Sequence, residues 1–127
     1  MILGIDLGVR TTGLAVSDGQ IATPYKTITH QNQQEAVDQI IDIIDREVVD
    51  KIVLGFVEGK IKKLFTDFAH HLKTQKPNVP IILIDETLTS GQATQNMIKL
   101  GIPKLARREK EHEYAAALIL QSYLDSN

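Results

Sequence analysis

Short runs of apolar and β-branched residues predict the strands of this chain. Met1 to Asp6 has the composition of a buried strand. Two further runs follow, Gly13 to Ser17 and Ile21 to Thr29, and the Asp18-Gly19 pair between them is typical of a tight turn. Pro24 favours an edge position for the third strand, because proline has no amide proton to offer a neighbouring strand. The first part of the chain is therefore expected to form an antiparallel meander.

The spacing of the apolar residues changes to a helical period after this meander. One stripe with acidic residues opposite it extends from Gln33 to Val49, and a second stripe extends from Ile61 to Leu72. An apolar run that predicts a buried strand follows each stripe, first Lys51 to Val57 and then Pro80 to Ile84. These two strands are expected to be parallel, because a helix connects them. The apolar positions of the first stripe are Ala36, Val37, Ile40, Ile41, Ile44 and Val48.

The last third of the chain predicts two further helices. Thr89 or Ser90 can cap a helix that extends to Leu100. The segment Tyr114 to Leu124 is nearly all apolar, which predicts a buried helix. The basic segment between them, Lys104 to Lys110, has no apolar period and predicts a loop.

The order of these elements is β-β-β-α-β-α-β-α-α, which predicts an α/β fold. Its five-stranded sheet would be mixed, with the meander first, then parallel strands, and with helices on both faces. The 127 residues are expected to form a single domain, residues 1–127. There is no cysteine, which excludes disulfide bonds and thiolate zinc sites. No apolar run reaches the roughly 20 residues of a membrane span, and the first residues do not resemble a signal peptide, so a cytoplasmic protein without membrane contact is expected.

The charged residues are unevenly distributed along the chain. The formal net charge is −2, whereas proteins that grip nucleic acid over their whole surface are usually basic. Acidic residues dominate from Glu35 to Asp50, while basic residues form two later groups. A basic patch beside an acidic metal centre is compatible with this pattern, although runs of lysine and arginine are more often solvated faces. The two basic groups consist of Lys60, Lys62 and Lys63, and of Lys99, Lys104, Arg107, Arg108 and Lys110.

Carboxylates stand at the ends of three predicted strands. Asp6 interrupts an apolar strand, where a charge is costly unless it is paired or bound to a cation. The alternative is that Asp6 accepts hydrogen bonds from the turn that follows. Asp85 and Glu86 directly follow the fifth strand, where ligands collect in open α/β sheets, but they could equally complement a helix N-terminus. Glu58 follows the fourth strand and is either a further carboxylate of the site or simply solvated.

His112 is the histidine best placed for chemistry, just ahead of the last apolar helix. It stands between Glu111 and Glu113, and it is either a metal ligand, a proton shuttle or an exposed side chain. Phosphodiester hydrolysis would unite it with Asp6 and Glu86. In that reaction, carboxylates from separate elements can hold two Mg²⁺ or Mn²⁺ ions, one of which activates water while the other stabilises the leaving oxygen. His70 and His71 are neighbours on a helix and therefore point apart, so we interpret them as surface residues.

Four stretches of the chain resemble the YqgF (RuvX) family. These Holliday-junction-resolvase-like proteins of the ribonuclease H superfamily are implicated in maturing ribosomal RNA. The resemblance spans nearly the whole chain and implies a ribonuclease H-like fold, with Asp6 and Glu86 as metal-binding carboxylates. The stretches are Leu3-Gly-Ile-Asp-Leu-Gly8 with Thr12-Gly-Leu-Ala-Val-Ser-Asp18, Lys51-Ile-Val-Leu-Gly55, Ile84-Asp-Glu-Thr-Leu-Thr-Ser90 and Ala115-Ala-Ala-Leu-Ile-Leu-Gln-Ser-Tyr-Leu-Asp125.

The resemblance leads to a functional hypothesis, that of a metal-dependent endonuclease. Its catalytic residues would be Asp6, Glu86 and His112, with Asp6 and Glu86 holding Mg²⁺ or Mn²⁺. Its substrate would be structured RNA, with precursor 16S ribosomal RNA as the leading candidate, or branched DNA such as a Holliday junction. It would act as a monomer or a homodimer. The residues expected to contact the nucleic acid are Arg10, Lys104, Arg107 and Arg108.

Two departures from the family pattern motivate an alternative function. The family usually has an aspartate where His112 aligns, and an arginine where Thr87 stands. A catalytically weakened member that binds nucleic acid or the ribosome is therefore the alternative hypothesis. A third reading is ATP binding, because Gly4 to Gly8 followed by Thr11-Thr-Gly13 also resembles the phosphate loop of the actin, sugar-kinase and heat-shock ATPase superfamily. Those proteins duplicate the domain, and 127 residues hold only one copy.

Overall fold

A computed structural model describes residues 1–57, 62–85 and 104–126, the last range with side chains from residue 110 onward. Five strands and three helices lie in this part of the chain. They alternate as three strands, a helix, a strand, a helix, a strand and a helix, as the apolar pattern predicts. The elements are β1 (Ile2–Asp6), β2 (Thr11–Ser17), β3 (Thr23–Thr29), α1 (Gln33–Glu47), β4 (Lys51–Phe56), α2 (Lys62–Gln75), β5 (Ile81–Asp85) and α3 (Lys104–Asp125).

The strands form one mixed sheet in the order β3-β2-β1-β4-β5. The first three strands are antiparallel to one another, and β1, β4 and β5 are parallel. The predicted meander and the predicted parallel strands are both confirmed. Parallel strands end at the same edge of a sheet, so Asp6 at the end of β1 and Asp85 at the end of β5 lie on one edge. β3 is an edge strand, as Pro24 indicates.

Helices cover both faces of the sheet. Neighbouring residues of each strand point to opposite faces, so each strand contributes side chains to the packing on both faces. Leu3 and Ile5 of β1 pack in the larger apolar cluster, with the buried residues of α1 and α2. On the other face, Ala15 and Val53 pack against α3 in a smaller cluster. Gly4 lies on this second face, where an added Cβ would be only 2.8 Å from Cβ of Leu120. The absence of a side chain at Gly4 therefore lets α3 lie close to the sheet.

Helix α1 begins and ends with recognisable caps. The side chain of Asn32 accepts a hydrogen bond of 2.9 Å from the amide of Glu35, which satisfies one of the free amides of the first turn. Val48 adopts a left-handed conformation (φ 53°) directly after the helix and is 76% exposed. The prediction that Val48 belongs to the buried stripe is therefore wrong. The C-cap turns it outward, and Val49 is buried instead.

Helix α3 begins earlier than the sequence pattern predicts. The segment Lys104 to Lys110 is helical and not a loop, so the basic residues continue directly into the last helix. Lysine, arginine and glutamate favour helices, so this segment can be helical without an apolar periodicity. Only one side of the apolar segment is fully buried, at Ala115, Ala116, Ile119 and Leu120. The helix predicted from Thr89 or Ser90 to Leu100 lies outside the described residues.

Among the residues described, no helix combines the length and the apolar character that a membrane span requires.

Candidate active site

Asp6 and His112 meet at the carboxyl end of β1. Nδ1 of His112 lies 3.4 Å from Oδ2 of Asp6, although the two residues are 106 positions apart in the sequence. The Asp6 side chain is 15% exposed, whereas the His112 side chain is 43% exposed. The Asp6 carboxylate is thus largely enclosed. The His112 imidazole covers one side of this carboxylate and is itself partly accessible to solvent.

The backbone of α3 rests on β2 at Gly13, which pairs with Asp6 across the sheet. A Cβ at Gly13 would overlap the backbone carbonyl of His112 and would lie 2.7 Å from the amide nitrogen of Glu113. Because real Cβ atoms do not approach backbone this closely, only glycine allows α3 to cross β2 at this height. Gly13 therefore sets the position from which His112 reaches Asp6.

A second side-chain contact lies on the other side of Gly13. Thr27 pairs with Gly13 on β3, and its hydroxyl donates a hydrogen bond of 3.4 Å to Oε2 of Glu113. Asp6, Gly13 and Thr27 thus form one row across three strands. The two outer members of this row hold two consecutive residues of α3, His112 and Glu113. The sequence gives no sign of this arrangement, because it depends on where α3 crosses the sheet.

The loop that follows Asp6 carries Arg10, which is exposed. One guanidinium nitrogen of Arg10 donates to Oε1 of Gln31 at 3.0 Å, and its backbone carbonyl accepts from the amide of His30 at 2.9 Å. The loop is also held from within, since the amide of Gly8 donates to Oγ1 of Thr12 at 3.4 Å. Arg10 therefore stands on a loop with defined partners on both sides.

His30 is a buried histidine that is not among the site residues predicted from the sequence. The residue is 4% exposed, and its Nε2 lies 2.8 Å from Oγ1 of Thr12. Burial lowers the pKa of His30, against smaller raising effects of the Asn32 backbone and the Glu35 carboxylate. The signal that could have revealed it is strand alternation, because Ile28 points inward and Thr29 outward, so residue 30 is expected to point inward.

The other predicted site residues fall at the margins of the described structure. Asp85 is exposed at the end of β5. Glu86, Thr87 and Glu58 lie outside the described residues. Lys104, Arg107 and Arg108 are on the first two turns of α3, and positions 104 and 108 precede His112 by about two turns and one turn of helix. His70 and His71 are exposed on α2, as the sequence pattern predicts.

The donor set of the site suits a divalent cation in part. A carboxylate oxygen and an imidazole nitrogen face each other at the open edge of the sheet, and both are ligands that divalent metals accept. Within residues 1–57, 62–85 and 110–126, no three or more histidine, aspartate or glutamate side chains form a group that could hold a metal ion. Asp6 and His112 therefore provide two candidate ligands, and a complete site needs at least one more.

Comparison with known proteins gives consistent results for the whole chain. The family model described as RuvX, Holliday junction resolvase, matches residues 1–126. A protein from Porphyromonas gingivalis is 36% identical over 98% of this chain and 96% of its own length. A protein from Clostridium tetani is 38% identical over 98% of this chain and 96% of its own length. The names of both relatives give pre-16S rRNA nuclease as a proposed activity.

Solved structures share the fold at much lower sequence identity. The Thermus thermophilus RuvC chain in complex with a Holliday junction substrate matches with a TM-score of 0.65 at 13% identity, over 98% of this chain and 94% of its own. The fowlpox virus resolvase, in complex with Holliday junction DNA, matches with a TM-score of 0.63 at 12% identity, over 98% and 97% of the two chains. These matches show that the mixed sheet and its helices have the resolvase fold.

Proposed function

The chain belongs to the RuvX family of Holliday junction resolvases, and on this premise we propose that it is a metal-dependent endonuclease that cleaves structured nucleic acid. Its family membership and its relatives at 36–38% identity support a nuclease that hydrolyses phosphodiester bonds. The observation that carries the proposal is the approach of His112 to the enclosed carboxylate of Asp6 at the carboxyl edge of the sheet.

The favoured substrate is precursor 16S ribosomal RNA, and branched DNA is the alternative. Relatives that match nearly full length are named for pre-16S rRNA. The structures solved with Holliday junctions are only 12–13% identical to this chain, and they support its fold but not its choice of substrate. We therefore place structured RNA first and test both.

Asp6 and Glu86 would hold Mg²⁺ or Mn²⁺, and His112 would be a third ligand or a proton shuttle. The metal would activate water and stabilise the leaving oxygen of the phosphodiester. Glu86 follows Asp85 directly in the sequence, and Asp85 ends the strand that lies two places from β1 in the sheet. Asp6, enclosed and adjacent to the imidazole, would hold the cation at the sheet edge, and the cation would attract the reacting phosphate. The imidazole of His112 is partly accessible to solvent and would be able to exchange a proton with water.

Basic residues on two sides of this centre would hold the nucleic acid. Arg10 lies on the loop after Asp6, and Lys104, Arg107 and Arg108 lie on the helix that leads to His112. Contacts from these residues to phosphates would position the backbone without reading its sequence. The formal net charge of −2 is compatible with this, because only the site needs a basic border.

Cleavage of two labelled substrates tests the proposal directly. A precursor 16S ribosomal RNA fragment and a four-way DNA junction are incubated with Mg²⁺ or Mn²⁺ and with wild type, Asp6→Asn or Asp42→Asn. Asp42 is an exposed carboxylate on α1, so its variant changes the charge equally without touching the site. Asp6→Asn is expected to lower the cleavage rate on the order of 100-fold or more, and Asp42→Asn is expected to leave it unchanged.

The outcomes separate the two functional hypotheses. If Asp6→Asn cleaves as fast as wild type, the assignment of Asp6 is wrong. If wild type binds RNA without metal and never cleaves it, the catalytically weakened binding protein becomes the function. Glu86→Gln, tested in the same assay, decides whether Glu86 belongs with Asp6.

A further inference from the structure

The connection between β3 and α1 holds the loop that follows Asp6. His30 donates its amide proton to the carbonyl of Arg10 at 2.9 Å, and Gln31 accepts a hydrogen bond from the Arg10 guanidinium at 3.0 Å. Both contacts converge on Arg10, the residue that we propose as a phosphate contact on this loop. The next residue, Asn32, caps α1 and fixes the connection from its other end.

The His30 ring adds a third, buried link to the same loop. Its Nε2 lies 2.8 Å from Oγ1 of Thr12, and the same oxygen accepts from the amide of Gly8 at 3.4 Å. Ring, hydroxyl and amide therefore form a continuous chain of hydrogen bonds that ends two residues after Asp6. Thr12 and His30 are 0% and 4% exposed, so water competes little with this chain.

This buried chain lies beneath the site and not within it. Thr12 and Gly13 are neighbours on β2 and point to opposite faces of the sheet. Gly13 faces α3 and His112, so Thr12 and the His30 ring lie on the face covered by α1 and α2. His30 can therefore support the loop without occupying the space above Asp6.

Packing alone does not account for a histidine at this position. Nδ1 of His30 is buried without a hydrogen bond of ordinary geometry among the described residues, although the Asn32 backbone interacts with the ring and raises its pKa in part. Burying such an atom costs free energy, and burial lowers the pKa of the ring. An apolar side chain would avoid this cost, but it would leave the Thr12 hydroxyl without its partner and the amide of Gly8 with a less fixed acceptor.

We propose that His30 is a positioning residue of the nuclease, which acts through Thr12 and the Gly8–Arg10 loop to hold Arg10 ready for a substrate phosphate. This positioning role rests on the proposed function in one respect only, namely that the ligand of Arg10 is a phosphate of a nucleic acid. The loop is ordered before substrate arrives, so binding does not have to bear the entropic cost of ordering it. Loss of the His30 link is expected to weaken substrate binding more than the chemical step.

The first test measures loop order and does not depend on activity. Steady-state heteronuclear NOEs of the backbone amides of residues 8–11 are recorded for the full chain in wild type, His30→Leu and His30→Gln. The glutamine amide can approach the position of Nε2, so this variant should restore the link to Thr12. We expect lower NOEs for this loop in His30→Leu, and values near wild type in His30→Gln.

Matched variants separate loss of the link from loss of stability. Ile44→Val trims a buried side chain about three turns along α1 from its start and destabilises the core without altering the loop. It should leave the NOEs of residues 8–11 unchanged. If His30→Leu does not fold, Thr12→Val removes the hydroxyl at nearly constant shape, and Gln31→Ala removes an exposed partner of Arg10. Both should lower the NOEs of the loop.

The second test uses cleavage of the better substrate from the assay above. His30→Leu and Arg10→Ala should each raise KM about tenfold, the scale of one weakened charge-assisted hydrogen bond, with a smaller change in kcat. The double variant should be little worse than Arg10→Ala alone, because His30 acts through Arg10. Ile44→Val should change neither constant.

Each result bears on one proposal. Unchanged loop NOEs in both His30→Leu and Thr12→Val would overturn the positioning role, whatever the enzyme cleaves. Additive effects of His30→Leu and Arg10→Ala on KM would overturn it as well. If wild type neither binds nor cleaves nucleic acid while the NOEs change as expected, the proposed nuclease fails and the ordering of the loop by His30 stands.

Discussion

The backbone carbonyl of His112 occupies the place where a Cβ of residue 13 would lie, so that no side chain fits between α3 and β2 at Gly13. Gly13 pairs with Asp6 on one side and with Thr27 on the other. The spacing between sheet and helix therefore determines both the approach of His112 to Asp6 and that of Glu113 to Thr27. The site depends on a residue that contributes no chemical group to it.

Gly13→Ala is expected to lift α3 from the sheet. The new methyl group meets backbone and not a flexible side chain, so the helix must shift to accommodate it. We expect a loss of at least about 2 kcal/mol in the free energy of unfolding, measured by urea denaturation. The NMR signals of His112 should change most among the histidines. Ala117→Gly, a glycine change on the same helix at a half-buried position, controls for general weakening of α3. A Gly13→Ala variant as stable as wild type would contradict the close packing.

The sequence predicts the elements of the fold well where apolar residues follow one period. The five strands and the first two helices agree with the prediction to within a few residues, because each buries one face. The predicted start of α3 is wrong because Lys104 to Lys110 is rich in charged residues and carries no apolar periodicity that would indicate a helix. The prediction for Val48 is wrong because this residue adopts the left-handed conformation that ends α1. That conformation, and not the helical period, determines where its side chain points.

The candidate site is less predictable from the sequence than the fold. Asp6 is recognisable alone, as a charge at the end of an apolar strand. Its approach to His112 depends on where α3 crosses the sheet, and no local pattern encodes this crossing. The role of Thr12 is hidden for a similar reason, since its partner His30 belongs to a different connection. His112 is a candidate from its place in the sequence, just ahead of the last apolar helix, whereas only the geometry reveals the contact between His30 and Thr12.

His112→Asp is expected to change how the protein responds to metal. Two carboxylates would then face each other where an imidazole now lies 3.4 Å from Asp6, so they repel in the absence of a cation. In EDTA the melting temperature should fall below that of wild type. Mg²⁺ should raise the melting temperature of His112→Asp by more than it raises that of wild type. Each tenfold gain in metal affinity adds about 1.4 kcal/mol to the free energy of unfolding at saturating metal. Differential scanning fluorimetry measures both effects.

The control for this prediction is Glu111→Asp, which keeps a carboxylate on the exposed side of the same helix. Its response to Mg²⁺ should equal that of wild type. An identical metal response in wild type and His112→Asp would argue against a metal site at Asp6. Cleavage that appears only in His112→Asp would instead identify the histidine as the cause of weakened catalysis.

Arg10→Ala is expected to weaken nucleic-acid binding and reduce its dependence on salt. If Arg10 contacts one phosphate, the slope of log K against log salt should become less steep by about 1. Fluorescence anisotropy of the labelled RNA fragment between low and moderate salt measures this slope. Lys73→Ala removes the same charge from an exposed position of α2 and should leave the slope unchanged. Equal effects of the two variants would show that Arg10 acts only through net charge.

The buried ring of His30 predicts a loss of stability in mild acid. Its pKa is lowered in the folded protein, chiefly by burial and further by Arg10, while the Asn32 backbone and Glu35 act in the opposite direction. The unfolded chain, with a histidine pKa of about 6.5, therefore binds a proton more readily than the folded protein. The contribution of the neutral ring is complete above that value, and it is lost as the pH falls towards the folded pKa. The free energy of unfolding should accordingly fall faster below about pH 6.5 in wild type than in His30→Gln. His70, His71 and His112 are common to both proteins, so urea titrations from pH 8 to pH 5 isolate His30 by difference. A difference between the two proteins that stays constant over this range would mean that His30 keeps an ordinary pKa in the fold.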